Sequence, residues 1–188
     1  MVSREALKAQ MVGFVQSNPT QVRRNGQSYH QTEVFTACAL KLALREYRKL
    51  EFADQTAVLL RDSMISLIRR YQDYCIKDHF GAHYREVGLK HNTRTELEHV
   101  VPLAVAVGML IHGKLTIAQA MNVPTCVLSK RNHKLLNKGA LVKTTPDPYN
   151  FWQRYSGLNV KIESHNGTAI DTNTWTMWDH YDYFHIAD

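Results

Sequence analysis

The hexapeptide Leu97-Glu98-His99-Val100-Val101-Pro102 is the most informative stretch of this 188-residue chain. The imidazole of His99 titrates near neutral pH and suits a general base, whereas the carboxylate of Glu98 suits a hard divalent cation. Adjacent strand residues point to opposite faces, so both side chains serve one site only if the backbone bends there. Pro102 is consistent with the end of a strand. The hexapeptide therefore predicts a short strand, 96–101, that carries a candidate base and a candidate metal ligand.

A second informative segment runs from Asn122 to Asn137. If its last part is helical, His133 and Asn137 lie four residues apart on one helix face, and either can complete the shell of a cation held by Glu98. Phosphate binding requires positive charge nearby. Four basic residues in or directly after this segment supply it: Lys130, Arg131, Lys134 and Lys138.

Taken in order, Glu98 to Pro102, a spacer that contains Asn122, and the stretch 128–139 resemble the HNH family of nucleases. The resemblance covers 96–139, under a quarter of the chain. It implies a strand–loop–strand–helix arrangement around one metal ion, the ββα-metal fold. The roles it implies are the general base for His99, the carboxylate ligand for Glu98, the asparagine that braces the base for Asn122, and the helix ligand for His133, with Asn137 as the alternate.

Many HNH proteins also carry two Cys-x-x-Cys pairs that bind a structural zinc. This chain has only three cysteines, Cys38, Cys75 and Cys126, which are far apart, and Ser129 and Asn132 stand where one pair would be. No structural zinc knuckle is therefore expected. The cysteine pattern also argues against a disulfide framework and favours a reducing compartment.

The overall charge favours an acidic partner. Lys and Arg number 23 against 17 Asp and Glu, which gives a net charge of +6 and a pI of about 9.3. Such a balance points to nucleic acid, although an ordinary solvated surface has the same composition. There is neither an apolar run of about 18 residues nor a signal-peptide core. We expect a cytoplasmic protein without a membrane partner, in a bacterial or phage-infected cell.

The remaining sequence predicts a helical scaffold around this motif. Apolar periodicity predicts helices over 1–16, 32–50 and 54–78, the last two as an antiparallel pair. Within the motif region we expect a helix over 103–111, a helix over 114–121 capped by Thr116, a strand over 124–128, and a helix over 130–138 capped by Ser129 and stopped by Gly139.

These elements predict an α+β fold that is predominantly helical, with a central ββα-metal unit. We divide the chain into a helical region (1–94) that supplies a scaffold and a nucleic-acid-contacting face, a catalytic unit (95–145), and an acidic, aromatic extension (146–188). Arg23 and Arg24 in a basic turn, and Arg154 beside an aromatic pair, are further candidate nucleic-acid contacts.

The expected activity is hydrolysis of DNA, most simply double-stranded, with one Mg²⁺, Mn²⁺ or another divalent cation and with His99 as the base. One site per chain suggests a homodimer for paired cuts. The alternative is a non-catalytic nucleic-acid-binding or partner-inhibiting protein that keeps a degenerate HNH skeleton. In that case the aromatic tail after Asp171 would be a protein-contact surface or a cover over the basic face.

Overall fold

A computed structural model describes residues 26–51, 54–74, 82–138 and 145–186, with side chains described from residue 31 onward except those of residues 137 and 138. The chain divides into two compact units, Met1–His79 and Phe80–Asp188. Each is described by itself. No helix in the described ranges is both long and apolar enough to cross a bilayer.

The first unit contains two helices that pack against each other, α1 (Gly26–Tyr47) and α2 (Gln55–Tyr71). Their shared apolar faces bury Leu40, Met64 and Ile68, and burial of such side chains is the main source of stability in a helix pair. Both predicted helices are confirmed, although α1 begins six residues before the expected 32. The helix predicted over 1–16 lies outside the described residues.

The second unit is built on a mixed five-stranded sheet. Its strands are β1 (Tyr84–Glu86), β2 (Thr95–His99), β3 (Thr125–Ser129), β4 (Ile162–Ser164) and β5 (Ala169–Ile170). They lie in the order β2-β3-β1-β4-β5. The central strand β1 pairs in parallel with β3 and antiparallel with β4, while β2 pairs antiparallel with β3.

The helices of the second unit follow the sequence prediction closely in the motif region. Thr116 caps its helix in a capping box, in which its hydroxyl accepts from the backbone N–H of Gln119 and the Gln119 side chain accepts from the Thr116 N–H. Such reciprocal bonds satisfy two otherwise orphaned donors. The helices are α3 (Leu103–Ile111), α4 (Ile117–Met121), α5 (Lys130–Lys138), a 3₁₀ helix (Phe151–Tyr155) and α6 (Met177–Tyr183).

The described chain is thus an α+β protein, about half helical with a small mixed sheet. Residues 80–94 and 146–186, which the sequence assigned to flanking regions, belong to the same compact unit as the motif. The physical reason is the sheet, because β1 lies between β3 of the motif and β4 of the C-terminal segment.

The aromatic C-terminal segment forms part of the core of this unit. The Trp175 indole donates to the Tyr84 hydroxyl at 2.9 Å, and the Phe184 ring packs edge-on against Tyr84. Tyr181 and His180 of α6 are also buried. Tyr181 and His180 bury surface inside their own unit, whereas Trp178 of the same helix is half exposed. The role of the tail as a contact surface or as a cover over the basic face stays a prediction.

Candidate functional site

Two residues singled out from the sequence, Glu98 and His133, are in direct contact. Glu98 lies on β2 opposite Cys126 of β3, and the residue is 8% exposed. The His133 ring, on α5, donates from Nε2 to Glu98 Oε2 at 2.9 Å. A pair separated by 35 positions in the chain is therefore joined by the packing of α5 against β2.

The direction of α5 is set by Glu86, the last residue of β1. Its Oε2 accepts from the backbone N–H of Ser129 at 2.8 Å, and its Oε1 accepts from Asn132 Nδ2 at 2.9 Å. A carboxylate at a helix N-terminus both satisfies orphan donors and interacts favourably with the helix dipole. This clamp engages Asn132 and leaves the next residue, His133, facing Glu98.

The other oxygen of Glu98 is paired with Arg154 of the 3₁₀ helix. Arg154 Nη1 lies 2.5 Å from Glu98 Oε1 and also donates to the backbone carbonyls of His99, at 2.8 Å, and of Val100, at 3.1 Å. The Arg154 residue is only 1% exposed. The sequence suggested a contact with nucleic acid, but the structure places this arginine in the interior, where its charge compensates a buried carboxylate.

His99 is the last residue of β2, opposite Thr125 of β3, and the strand gives way to a bend at Val100. Asn122 lies at the C-terminal end of α4, where its side-chain amide donates to the Ala118 carbonyl at 3.0 Å. The roles of His99 as general base and of Asn122 as its brace stay predictions.

The candidate nucleic-acid contacts on α5 are on the surface. Lys130, Arg131 and Lys134 are exposed, and α5 carries no acidic residue. Lys130 lies 3.8 Å from Glu96, a weak exposed pair. Three further candidates lie outside the described residues or side chains: Arg23, Arg24 and Lys138. The same holds for the side chain of Asn137, the alternate metal ligand.

The two candidate ligand atoms are joined to each other in this structure. The 2.9 Å between Glu98 Oε2 and His133 Nε2 is the length of an ordinary N–H···O hydrogen bond, so both atoms could hold a metal ion only after His133 Nε2 gives up this proton. Within the described ranges no group of three or more His, Cys, Asp or Glu side chains is arranged to hold a metal ion. Mg²⁺ commonly binds through one or two protein ligands, with waters and substrate phosphate completing its shell.

Two buried histidines that are not among the predicted site residues, His83 and His180, lie next to the motif. Burial lowers the pKa of His180 to about 3. Its Nε2 donates to the Asn122 carbonyl at 2.8 Å, so its Nδ1 accepts from the Tyr84 hydroxyl at 2.9 Å. His83 Nδ1 accepts from the Thr125 backbone N–H at 3.2 Å, and burial lowers the pKa of His83 well below its usual range. Both rings therefore serve as neutral hydrogen-bonding groups.

These buried histidines adjoin the motif rather than form part of its reactive surface. Thr125, which contacts His83, is the strand partner of His99, and Asn122, which contacts His180, closes α4 just before β3. The sequence carries no spacing that predicts either contact, since His180 is 58 positions from Asn122.

Comparisons with known proteins identify no relative: no family model, no curated protein and no solved structure matches this chain.

Proposed function

We propose that this chain is a metal-dependent endonuclease of the HNH type that hydrolyses phosphodiester bonds in DNA. The observation that supports it best is the contact between Glu98 on β2 and His133 on α5, directly beside the strand end that carries His99. The HNH resemblance implies that two strands and a helix carry the metal ligands and the base. The chain order β2, β3, α5, with α3 and α4 as the connection between the strands, is compatible with that expectation.

In the proposed mechanism His99 accepts a proton from the attacking water, because an imidazole is half-protonated near neutral pH. Asn122 is the candidate brace for this ring. Glu98 and His133 would hold one Mg²⁺ or Mn²⁺, which when bound stabilises the charge on the phosphate and on the leaving oxygen.

The exposed basic side chains of α5 would bind the DNA backbone, because this helix presents positive charge and contains no acidic residue. These side chains are Lys130, Arg131 and Lys134. Each phosphate that such a residue neutralises releases counterions and adds affinity without sequence preference. With one site in each chain, a double-strand cut would require two chains, which is the basis for proposing a homodimer.

The test is cleavage of supercoiled plasmid in Mg²⁺, in Mn²⁺ and in EDTA, with the wild type, Glu98→Gln and Glu96→Gln. Glu96 is a matched control because it lies two residues earlier on β2 and pairs only weakly with exposed Lys130. We expect metal-dependent nicking by the wild type and by Glu96→Gln, and its loss in Glu98→Gln. A mobility shift without nicking in any metal would instead support the non-catalytic DNA-binding protein.

A further inference from the structure

Arg154 has a more specific part in this site than its place in the sequence suggests. It lies in the 3₁₀ helix Phe151–Tyr155, and the aromatic neighbours Phe151, Trp152 and Tyr155 are all buried. A charged side chain on a helix anchored by three buried rings has little freedom to move, because rotation would break close packing. The guanidinium is therefore held in one place relative to β2.

The contacts of this guanidinium converge on two parts of the motif. One is the carboxylate of Glu98, where Arg154 takes Oε1 and leaves Oε2 directed at His133. The other is the chain just after the strand, where Arg154 donates to the carbonyls of His99 and Val100. His99 is the last residue of β2, and Val100 is the first residue of the bend that follows it.

Glu98 and His99 both lie within β2, opposite Cys126 and Thr125, and the bend follows them at Val100. The carbonyls that Arg154 holds therefore lie at the point where the strand ends. Two carbonyls held by a single fixed donor restrain the backbone at that point. Partners in the second layer around a metal ligand commonly set its orientation, and their loss costs about 10–100-fold in metal affinity or activity.

We propose that Arg154 is a positioning residue for the metal site: it orients the Glu98 carboxylate toward His133 and restrains the backbone where β2 ends, next to His99. This inference rests on the proposed function, and it assigns Arg154 a role inside the protein rather than on DNA. Its 1% exposure and three convergent contacts are the observations that carry it.

The test compares Arg154→Lys with Arg85→Lys. Lysine keeps the charge, but its nitrogen ends about one bond, roughly 1.3 Å, short of the arginine Nη1. Arg85 makes a matched ion pair with Glu163 at 2.6 Å in the same sheet, but half of its side chain is exposed. The measurements are Mn²⁺ affinity by electron paramagnetic resonance, plasmid nicking as a function of Mn²⁺ concentration, and the urea midpoint of unfolding.

For Arg154→Lys we expect an Mn²⁺ dissociation constant about 10–100-fold above that of the wild type, and nicking that returns at high Mn²⁺. Arg85→Lys should match the wild type in both. Wild-type Mn²⁺ affinity in a folded Arg154→Lys protein would overturn the inference alone. A wild type that neither binds Mn²⁺ nor nicks DNA would overturn the proposed function, and the inference with it.

A second variant covers the case in which Arg154→Lys does not fold. Phe151→Leu keeps Arg154 but loosens the buried 3₁₀ helix that carries it, and such conservative core changes are usually tolerated. We expect Phe151→Leu to weaken Mn²⁺ binding by a few-fold in the folded protein. Unchanged Mn²⁺ affinity together with a lowered urea midpoint would mean that this helix has only a structural role, and would contradict the inference.

Discussion

Two histidines are buried without charge in the second unit. We therefore expect this unit to lose stability as the pH falls, beginning at a pH well above the pKa values of carboxylates. Burial lowers the pKa of His180 to about 3, and lowers that of His83 well below its usual range, with smaller effects of the nearby charges of His180 and His165. In the unfolded chain a histidine pKa is about 6.5. Below about pH 6.5 the unfolded state therefore binds protons that the folded state does not bind, and the free energy of unfolding falls as the pH drops.

The size of the effect follows from the same two pKa values. A difference of one pKa unit corresponds to about 1.4 kcal/mol, so between pH 6.5 and 4.5 His180 alone lowers the unfolding free energy by roughly 2 kcal/mol. His83 acts in the same direction. The structural cause is burial of the ring, and a proton placed on Nδ1 would also remove the acceptor to which the Tyr84 hydroxyl donates.

The assay is urea unfolding followed by tryptophan fluorescence at pH 7.5, 6.5, 5.5 and 4.5. It reports on the second unit because all three tryptophans lie there: Trp152, Trp175 and Trp178. His180→Gln removes one titrating group and should flatten the pH dependence by about one proton, whereas the exposed His91→Gln should keep the wild-type slope. A flat wild-type profile between pH 6.5 and 4.5, or an unchanged slope in His180→Gln, would refute this reasoning.

Two further predictions concern α5. Glu86→Ala removes the carboxylate that holds the start of the helix and should lower the free energy of unfolding in urea by about 2 kcal/mol. The control is Glu163→Ala, which removes a carboxylate paired with half-exposed Arg85 and should lower it by under about 1 kcal/mol. Equal losses in the two variants would contradict the role of Glu86 at the start of α5. Lys134→Ala should weaken DNA binding and lower the slope of log affinity against log salt by about 0.9. The exposed Lys161→Ala is its control, and an unchanged slope in Lys134→Ala would remove Lys134 from the proposed interface.

The motif region could be predicted from the sequence because its signals are local. The helix 103–111 is a continuous apolar stretch, Thr116 caps the next helix through its own turn, and α5 starts directly after β3. Each of these depends on residues within a few positions of each other. The contact of Glu98 with His133 agrees with their predicted common site because strand, strand and helix follow one another in the expected order.

The rest depended on long-range pairing that no short pattern reveals. Strand β1 has only three residues, and it becomes the centre of the sheet because β3 and β4 pair with it from distant parts of the chain. Arginine is almost always exposed unless it is paired. The burial of Arg154 therefore could not be predicted without knowing that Glu98 lies beside it. The clamp by Glu86 likewise spans 43 and 46 positions.

The most direct test of the proposed function is the cleavage rate of His99→Ala on supercoiled plasmid at saturating Mn²⁺, with Mn²⁺ affinity measured on the same sample. General-base catalysis contributes about 10²–10⁴-fold, so nicking should fall by at least about 100-fold while Mn²⁺ affinity stays within a few-fold of the wild type, because Glu98 and His133 are intact. A His99→Ala protein that nicks plasmid at the wild-type rate would contradict the account.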